Sequence, residues 1–260
     1  MRLYLYLDRR TPVHDLNPTV KVLAMLCFFV AAFTTERPDL LLPLSLAIFA
    51  LIYRVGAFVN VRRLRVIFQM VFVMTFLIWT LFYRRGTPLI AFGPIQISAA
   101  ALEFAFGMAI KLVTFLVVGV LFLSTTKIEE FAYALTRIGM SYKVGFAMTL
   151  AFRLVPVFIE SAQTVVQAQR CRGFNFDEGN LWQRIRRYVP VLVPVFMGAL
   201  RRADAMAMAL EARGFQSERQ RTSFEHYRFG VVDVIVLLLA VSVAAGFLAL
   251  WWSGHARVVV

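Results

Sequence analysis

Arg172 and Arg213 stand in two near-copies of one short sequence, AQRCRGF at 168–174 and ALEARGF at 209–215. The copies share Ala168/Ala209, the arginines, Gly173/Gly214 and Phe174/Phe215 at an offset of 41 positions. An identical VPVF lies upstream of each, at 155–158 and 193–196. Arginine carries a flat, permanently charged fork that matches a carboxylate, so its chemistry here is recognition of acidic groups. Glycine just past a helix end takes the left-handed conformation cheaply, and a basic residue there complements the helix dipole. A single copy would read as a plain helix stop. Two copies present two similar basic tips, and a duplicated tip implies a duplicated partner, such as a dimer of similar subunits.

Other reactive residue types form no constellation. His14, His226 and His255 are scattered without metal-ligand spacing, and no GxSxG or GxxxxGK[ST] pattern is present to build a nucleophile or cradle phosphates. Cys27 and Cys171 are the only cysteines, one in an apolar run and one in a polar region, so a disulfide framework or thiolate metal site is not expected. Glu103 and Lys111 lie in an apolar stretch but about two helical turns apart, which predicts pairing with other helices or snorkelling rather than an ion path. No catalysis, metal or cofactor is implied.

The elements that must carry the tips are apolar. Of 260 residues, 60% are hydrophobic and 17% charged, with a net charge of +13. Soluble domains are about 45–50% apolar and about 25% charged, so the composition predicts an integral membrane protein, and the basic charge fits a membrane surface better than nucleic acid. Spans of roughly 20 apolar residues are expected at 20–34, 40–59, 64–83, 99–123 and 229–252. The basic lead-in with Pro12 and Pro18, followed by further spans, predicts a retained first helix rather than a signal peptide. Lysines and arginines place the N-terminus and the 60–65 loop, NVRRLR, in the cytoplasm; Arg84 and Arg85 count against this but are outweighed.

Residues 124–228 then also fall inside, with 15 Lys/Arg and 9 Asp/Glu. Three helical runs are expected there: one from Thr126 to about Gly139 with a Ser/Thr N-cap, one over 142–172 interrupted by Pro156, and one over about 189–213. They read as too charged to span and so should lie along or just under the membrane. Ala199, Ala203 and Ala207, four apart, would let helices cross closely. Arg184, Arg186 and Arg187 on the connector read as headgroup contacts, and 219–228 as a charged anchor for the last span. The expected organisation is all-α: transmembrane helices 1–4 over 1–123, a cytoplasmic coupling domain over 124–228, and a last span with tail over 229–260.

These residues resemble the transmembrane T component of energy-coupling-factor (ECF) transporters, the family that includes the cobalt-transporter permease subunit. The resemblance rests on Cys171-Arg172-Gly173 and Ala212-Arg213-Gly214 with their flanks, on HDLNPTVKVLAML near the N-terminus, and on TTKIEEFAYALTRIGM. Cys171 departs from the usual alanine, one small residue for another, and Asn17 from the usual aspartate. The resemblance implies a non-catalytic subunit in a bacterial or archaeal cell membrane. It would bridge two ABC-type ATPases and a small substrate-binding S component for ATP-driven uptake of a vitamin or transition-metal ion. It also implies that Arg172 and Arg213 dock on the ATPases, one each. Two other readings remain beside it: a conventional ABC permease with its own substrate path, against which the paired Arg-Gly ends speak, and a membrane-embedded enzyme, for which the spans lack a convergent polar set.

Overall fold

A computed structural model describes residues 6–7, 9, 11–35, 37–83, 88–92, 95–176, 180–215, 227 and 229–253. Arg84, Arg85, His226, His255, most of the 219–228 anchor and the last seven residues lie outside that set. The described chain is helical apart from one hairpin, and it divides into two compact units, Met1–Met140 with Tyr227–Val260, and Ser141–His226.

The first unit is built around its longest helix. α1 (Pro18–Thr34), α2 (Pro38–Val55), the short elbow α3 (Phe58–Arg63) and α4 (Arg65–Phe82) precede α5 (Ala99–Thr125), which packs against all four. The helix starts follow from local chemistry. Pro18 opens α1 behind Asn17, whose side-chain oxygen accepts the Thr19 N–H at 3.0 Å. Ser98 does the same for the Ala101 N–H at the start of α5. At 27 residues α5 is about 40 Å long, more than the roughly 30 Å of hydrocarbon it has to cross. Its buried Ala101, Ala105 and Ala109 keep neighbouring backbones close, as do Ala31 and Ala32 of α1. α6 (Ile128–Ile138) and α10 (Val231–Trp252) pack on α1 and complete the unit.

Two expectations change here. Residues 88–98, between two of the expected spans, hold an antiparallel pair, β1 (Pro88–Phe92) and β2 (Ile95–Ser98), with Phe92 opposite Ile95 and Pro88 opposite Ser98. The alternation in IQIS is the strand signal. The N-cap of α6 is Lys127 and not Thr126, whose hydroxyl is buried without a hydrogen-bond partner.

The second unit contains α7 (Tyr142–Cys171), α8 (Leu181–Arg187) and α9 (Val189–Ala212). α7 is not interrupted at Pro156, nor α9 at Pro194: both helices run through. A proline removes one backbone hydrogen bond, a loss that long helices of membrane proteins tolerate.

Among the described residues five helices are long and apolar enough to cross a membrane: α2, α4, α5, α7 and α10. The number agrees with the sequence reading but the set does not. α1, with 17 residues, reaches only about 26 Å, whereas α7 qualifies, because its stretch 144–159, VGFAMTLAFRLVPVFI, holds a single charge. The reading of α7 as too charged to span is therefore corrected. The exposed apolar side chains of α4 and α10, among them Met70, Met74, Leu238 and Leu239, are those expected to meet lipid.

Candidate functional site: two arginine-bearing helix ends

Both copies of the repeat fold into the same helix stop. α7 ends at Cys171; the Phe174 N–H donates to the Gln169 carbonyl at 3.0 Å and the Gly173 N–H to the Arg170 carbonyl at 2.9 Å. α9 ends at Ala212; the Phe215 N–H donates to Leu210 at 2.9 Å and the Gly214 N–H to Glu211 at 2.8 Å. This is the Schellman arrangement, and it requires a left-handed residue after the cap. Gly173 and Gly214 supply it with φ of +83° and +71°. Arg172 and Arg213 are the cap residues themselves, with φ/ψ of −81°/7° and −87°/5°. Both arginines are exposed, and neither guanidinium has a hydrogen-bond or ion-pair partner among the described residues.

The helix stop alone is not distinctive. α2 ends the same way at Gly56, where the Ala57 N–H donates to Ile52, and α6 ends with Met140 donating to Leu135 past Gly139. The two repeats differ in having arginine at the cap and a phenylalanine after the glycine. Phe215 folds back onto Phe146, with ring centroids 4.8 Å apart, and lies 6.2 Å from Tyr142. Phe174 stacks toward Phe176, and Phe176 toward Tyr188, each at 5.1 Å. Phe176 is fully buried.

These ring contacts determine the arrangement of the helices. The end of α9 lies at the beginning of α7, and the end of α7 lies beside the beginning of α9, so the two are antiparallel. The arginine tips therefore occupy opposite ends of the pair, separated by about 36 Å, the length of the 24-residue α9. The structure does not bring Arg172 and Arg213 together; it holds them apart at matched positions.

The pair has almost no core. Among the described residues of this unit only Gly145, Phe176 and Val191 are buried. Half-buried Val195, Ala199, Met206 and Leu210 continue the stripe from Val191 along α9. Ala203 and Ala207, expected at a close helix crossing, are exposed instead. Phe152, Val155 and Ile159 on α7, with Leu192, Phe196 and Leu200 on α9, are exposed apolar side chains. Cys171 is exposed and free, and nothing in the structure explains a cysteine there. Arg184 and Arg186 are exposed on α8, beside exposed Trp182 and Ile185, whereas Arg187 is half-buried and donates to the Asn175 carbonyl at 2.8 Å.

Sequence reasoning assigned no role to a polar cluster in the first unit. Lys21 is buried, and its ammonium donates to the His14 carbonyl at 2.7 Å, the Thr125 carbonyl at 3.1 Å and Glu130 at 3.3 Å. Asp233, also buried, accepts the Asn17 N–H and the Gly230 N–H, both at 2.8 Å. The Asn17 amide donates to the Tyr227 carbonyl at 3.2 Å. The ends of α1, α5, α6 and α10 are thereby joined at one point. The signal available was Lys21 near the start of an apolar helix, where a charge has to find partners. Lys111 follows the same rule: it is buried and donates to the Phe33 carbonyl in the last turn of α1 at 2.7 Å, while Glu103 is exposed on α5.

A multi-pass helical membrane protein with two outlying arginine caps is the class that fold and site define. The chain belongs to the family described as Cobalt transport protein (CbiQ), which matches residues 9–224. It is 32% identical over 254 residues to the energy-coupling factor transporter transmembrane protein EcfT of Bacillus selenitireducens, covering 94% of each chain. It is 29% identical to the protein of the same description from Ruminiclostridium cellulolyticum, covering 89% of this chain and 90% of that one. A further relative, a putative ABC transporter ATP-binding protein of Bifidobacterium longum, is 29% identical over 92% of this chain, which corresponds to 32% of that longer protein.

Proposed function

We propose that this chain is the coupling (T) subunit of an energy-coupling-factor transporter, catalysing no reaction itself. Arg172 and Arg213 each dock on one of two ABC-type ATPases, and the exposed apolar faces of α7 and α9 hold a small membrane-embedded S component. The observation that carries this reading is the pair of matching arginine caps at opposite ends of an antiparallel helix pair. Two tips of one geometry, about 36 Å apart, suit two copies of one kind of site better than a single pocket. Gly173 and Gly214 aim the arginines, and Cys171 and Ala212 are small enough to leave the approach to each tip open.

Acidic grooves on the ATPases would receive the guanidiniums in two-pronged hydrogen bonds. A rotation of one ATPase toward the other would then be transmitted along α7 and α9, since a helix is a stiff lever. The apolar side chains around Phe152 and Phe196 form the surface that moves the S component, which releases a vitamin or transition-metal ion into the cell. In this reading α7, although apolar enough to cross, lies along the membrane with the rest of the coupling region, 124–228, on the cytoplasmic side, as does the N-terminus, consistent with the excess of Lys and Arg there. The name and length of the Bifidobacterium longum relative lend support: a region like this chain shares a polypeptide with one named for ATP binding.

Co-purification tests the docking. The tagged full-length chain, solubilised gently from its own host, should bring down two ATPase subunits and a small membrane protein. Arg172→Ala/Arg213→Ala should lose the ATPases while keeping the small protein. Equal recovery of ATPases with the double variant would overturn the docking role.

A further inference from the structure

The first unit carries a second feature that the coupling role leaves unused. Where α2, the elbow α3, α4 and α5 meet, an open groove of about 530 Å³ is lined by Phe49, Phe58, Phe68 and Phe72, with Val61, Val73 and Val113 between them. Arg62 and Arg65 also line it, with Gln69 one turn along α4. The lining residues of α4 are Arg65, Phe68, Gln69, Phe72 and Val73, spaced so that they form one face of that helix. The groove thus runs about 12 Å along α4, from a charged mouth to an apolar floor.

We infer that this groove is a binding site for an anionic phospholipid, with its phosphate at Arg62 and Arg65 and one acyl chain along the phenylalanines. Three observations support this occupant. First, the two guanidiniums are exposed and make no hydrogen bond or ion pair with any described residue. Their charge is therefore available to a ligand, and arginine forks suit phosphate oxygens. Second, Arg65 is the first residue of α4, a helix long and apolar enough to span, so the mouth lies at the level of the headgroups and the floor at that of the chains. Third, among the described residues the polar side chains lining the groove, Arg62, Arg65 and Gln69, are at or near the mouth, which matches a molecule with one charged end. Basic pockets between membrane helices select anionic headgroups in this way. A zwitterionic lipid would bring its own cation against two arginines, so a headgroup such as phosphatidylglycerol is favoured. A free phosphate would leave the aromatic floor without a partner.

Native mass spectrometry of the full-length chain in detergent tests the site, with palmitoyl-oleoyl phosphatidylglycerol and phosphatidylcholine added in equal amounts. The wild type should retain one phosphatidylglycerol in preference to phosphatidylcholine. Arg62→Gln/Arg65→Gln should reduce that preference about tenfold. Arg63→Gln, at an exposed neighbour that does not line the groove, should leave it unchanged. Val73→Trp, which fills the floor with both arginines intact, should reduce retention of both lipids. An equal drop in Arg63→Gln would show a diffuse charge effect and overturn the site. So would unchanged retention in Val73→Trp, which decides the matter alone should the double variant not fold. Displacement by glycerol phosphate would reduce the site to a phosphate contact. In the purified transporter, loss of the lipid adduct in favour of a cross-link from residue 72 to another subunit would assign the groove to a protein partner instead.

Discussion

The unit around α5 closes on itself, whereas the α7–α9 unit does not. In the first, Leu41, Ile52, Val55 and Val117 are fully buried, and buried charges are paired across elements. In the second, two long helices bury little between them, carry aromatic contacts at their ends and leave apolar side chains such as Phe152 and Phe196 exposed. A region with so few buried residues draws its stability from what covers it, since most helix stability comes from packing an apolar face. The contrast teaches that one part of this protein is built to hold its shape and the other to be held by partners and lipid.

Substitutions separate these two behaviours. The largest loss of stability is expected from Lys21→Met, which leaves Glu130 and two carbonyls without their buried partner; about 3 kcal/mol is typical of breaking such a pair. Thermal unfolding of the purified chain in detergent would report it. A loss no larger than that of an exposed lysine would mean the cluster at Lys21 does not hold the first unit together.

The glycine stops give a finer comparison. Alanine at Gly56, Gly173 or Gly214 is forced into the left-handed region, at about 1 kcal/mol each. At Gly56 the new Cβ also meets the Arg9 guanidinium, while at Gly173 and Gly214 it meets open space. Gly56→Ala should therefore destabilise more than the other two, and Arg9→Ala should remove the difference. Equal effects in both backgrounds would mean Arg9 is simply resting there.

Phe215→Ala should have a smaller effect on unfolding, because Phe215 is only half-buried, yet it should loosen the tip on Phe146 and lower ATPase recovery in the purified complex. Unchanged recovery would separate the aim of Arg213 from the aromatic contact behind it. Cys171→Ala is expected to change least, within about 0.5 kcal/mol, since it swaps one small exposed residue for another. A marked loss of assembly in that variant would give the cysteine a role that its surroundings do not.

Much of the molecule could be read one helical turn at a time. Asn17-Pro18 and Ser98 mark helix starts and Gly56, Gly139, Gly173 and Gly214 mark helix ends, because cap chemistry involves groups a few residues apart. Errors arose where neighbours beyond a turn decide. Pro156 suggested a break, but a long helix in a membrane protein tolerates the missing bond. Ala203 and Ala207 have the spacing for a close crossing, but the helix opposite meets a different stripe.

By itself the sequence determined four of the apolar spans, the helix stops after 171 and 212 and the two arginine caps, since hydropathy and hydrogen bonding within a turn are local properties of the chain. Only the tertiary structure decided that the caps lie at opposite ends of an antiparallel pair, and that a groove opens where α2, α3, α4 and α5 meet, with two arginines that pair with no described residue. It alone joined Lys21 to Glu130, 109 residues away. The reason is physical: a buried charge or an exposed aromatic demands a partner, but which partner it finds depends on how distant segments pack.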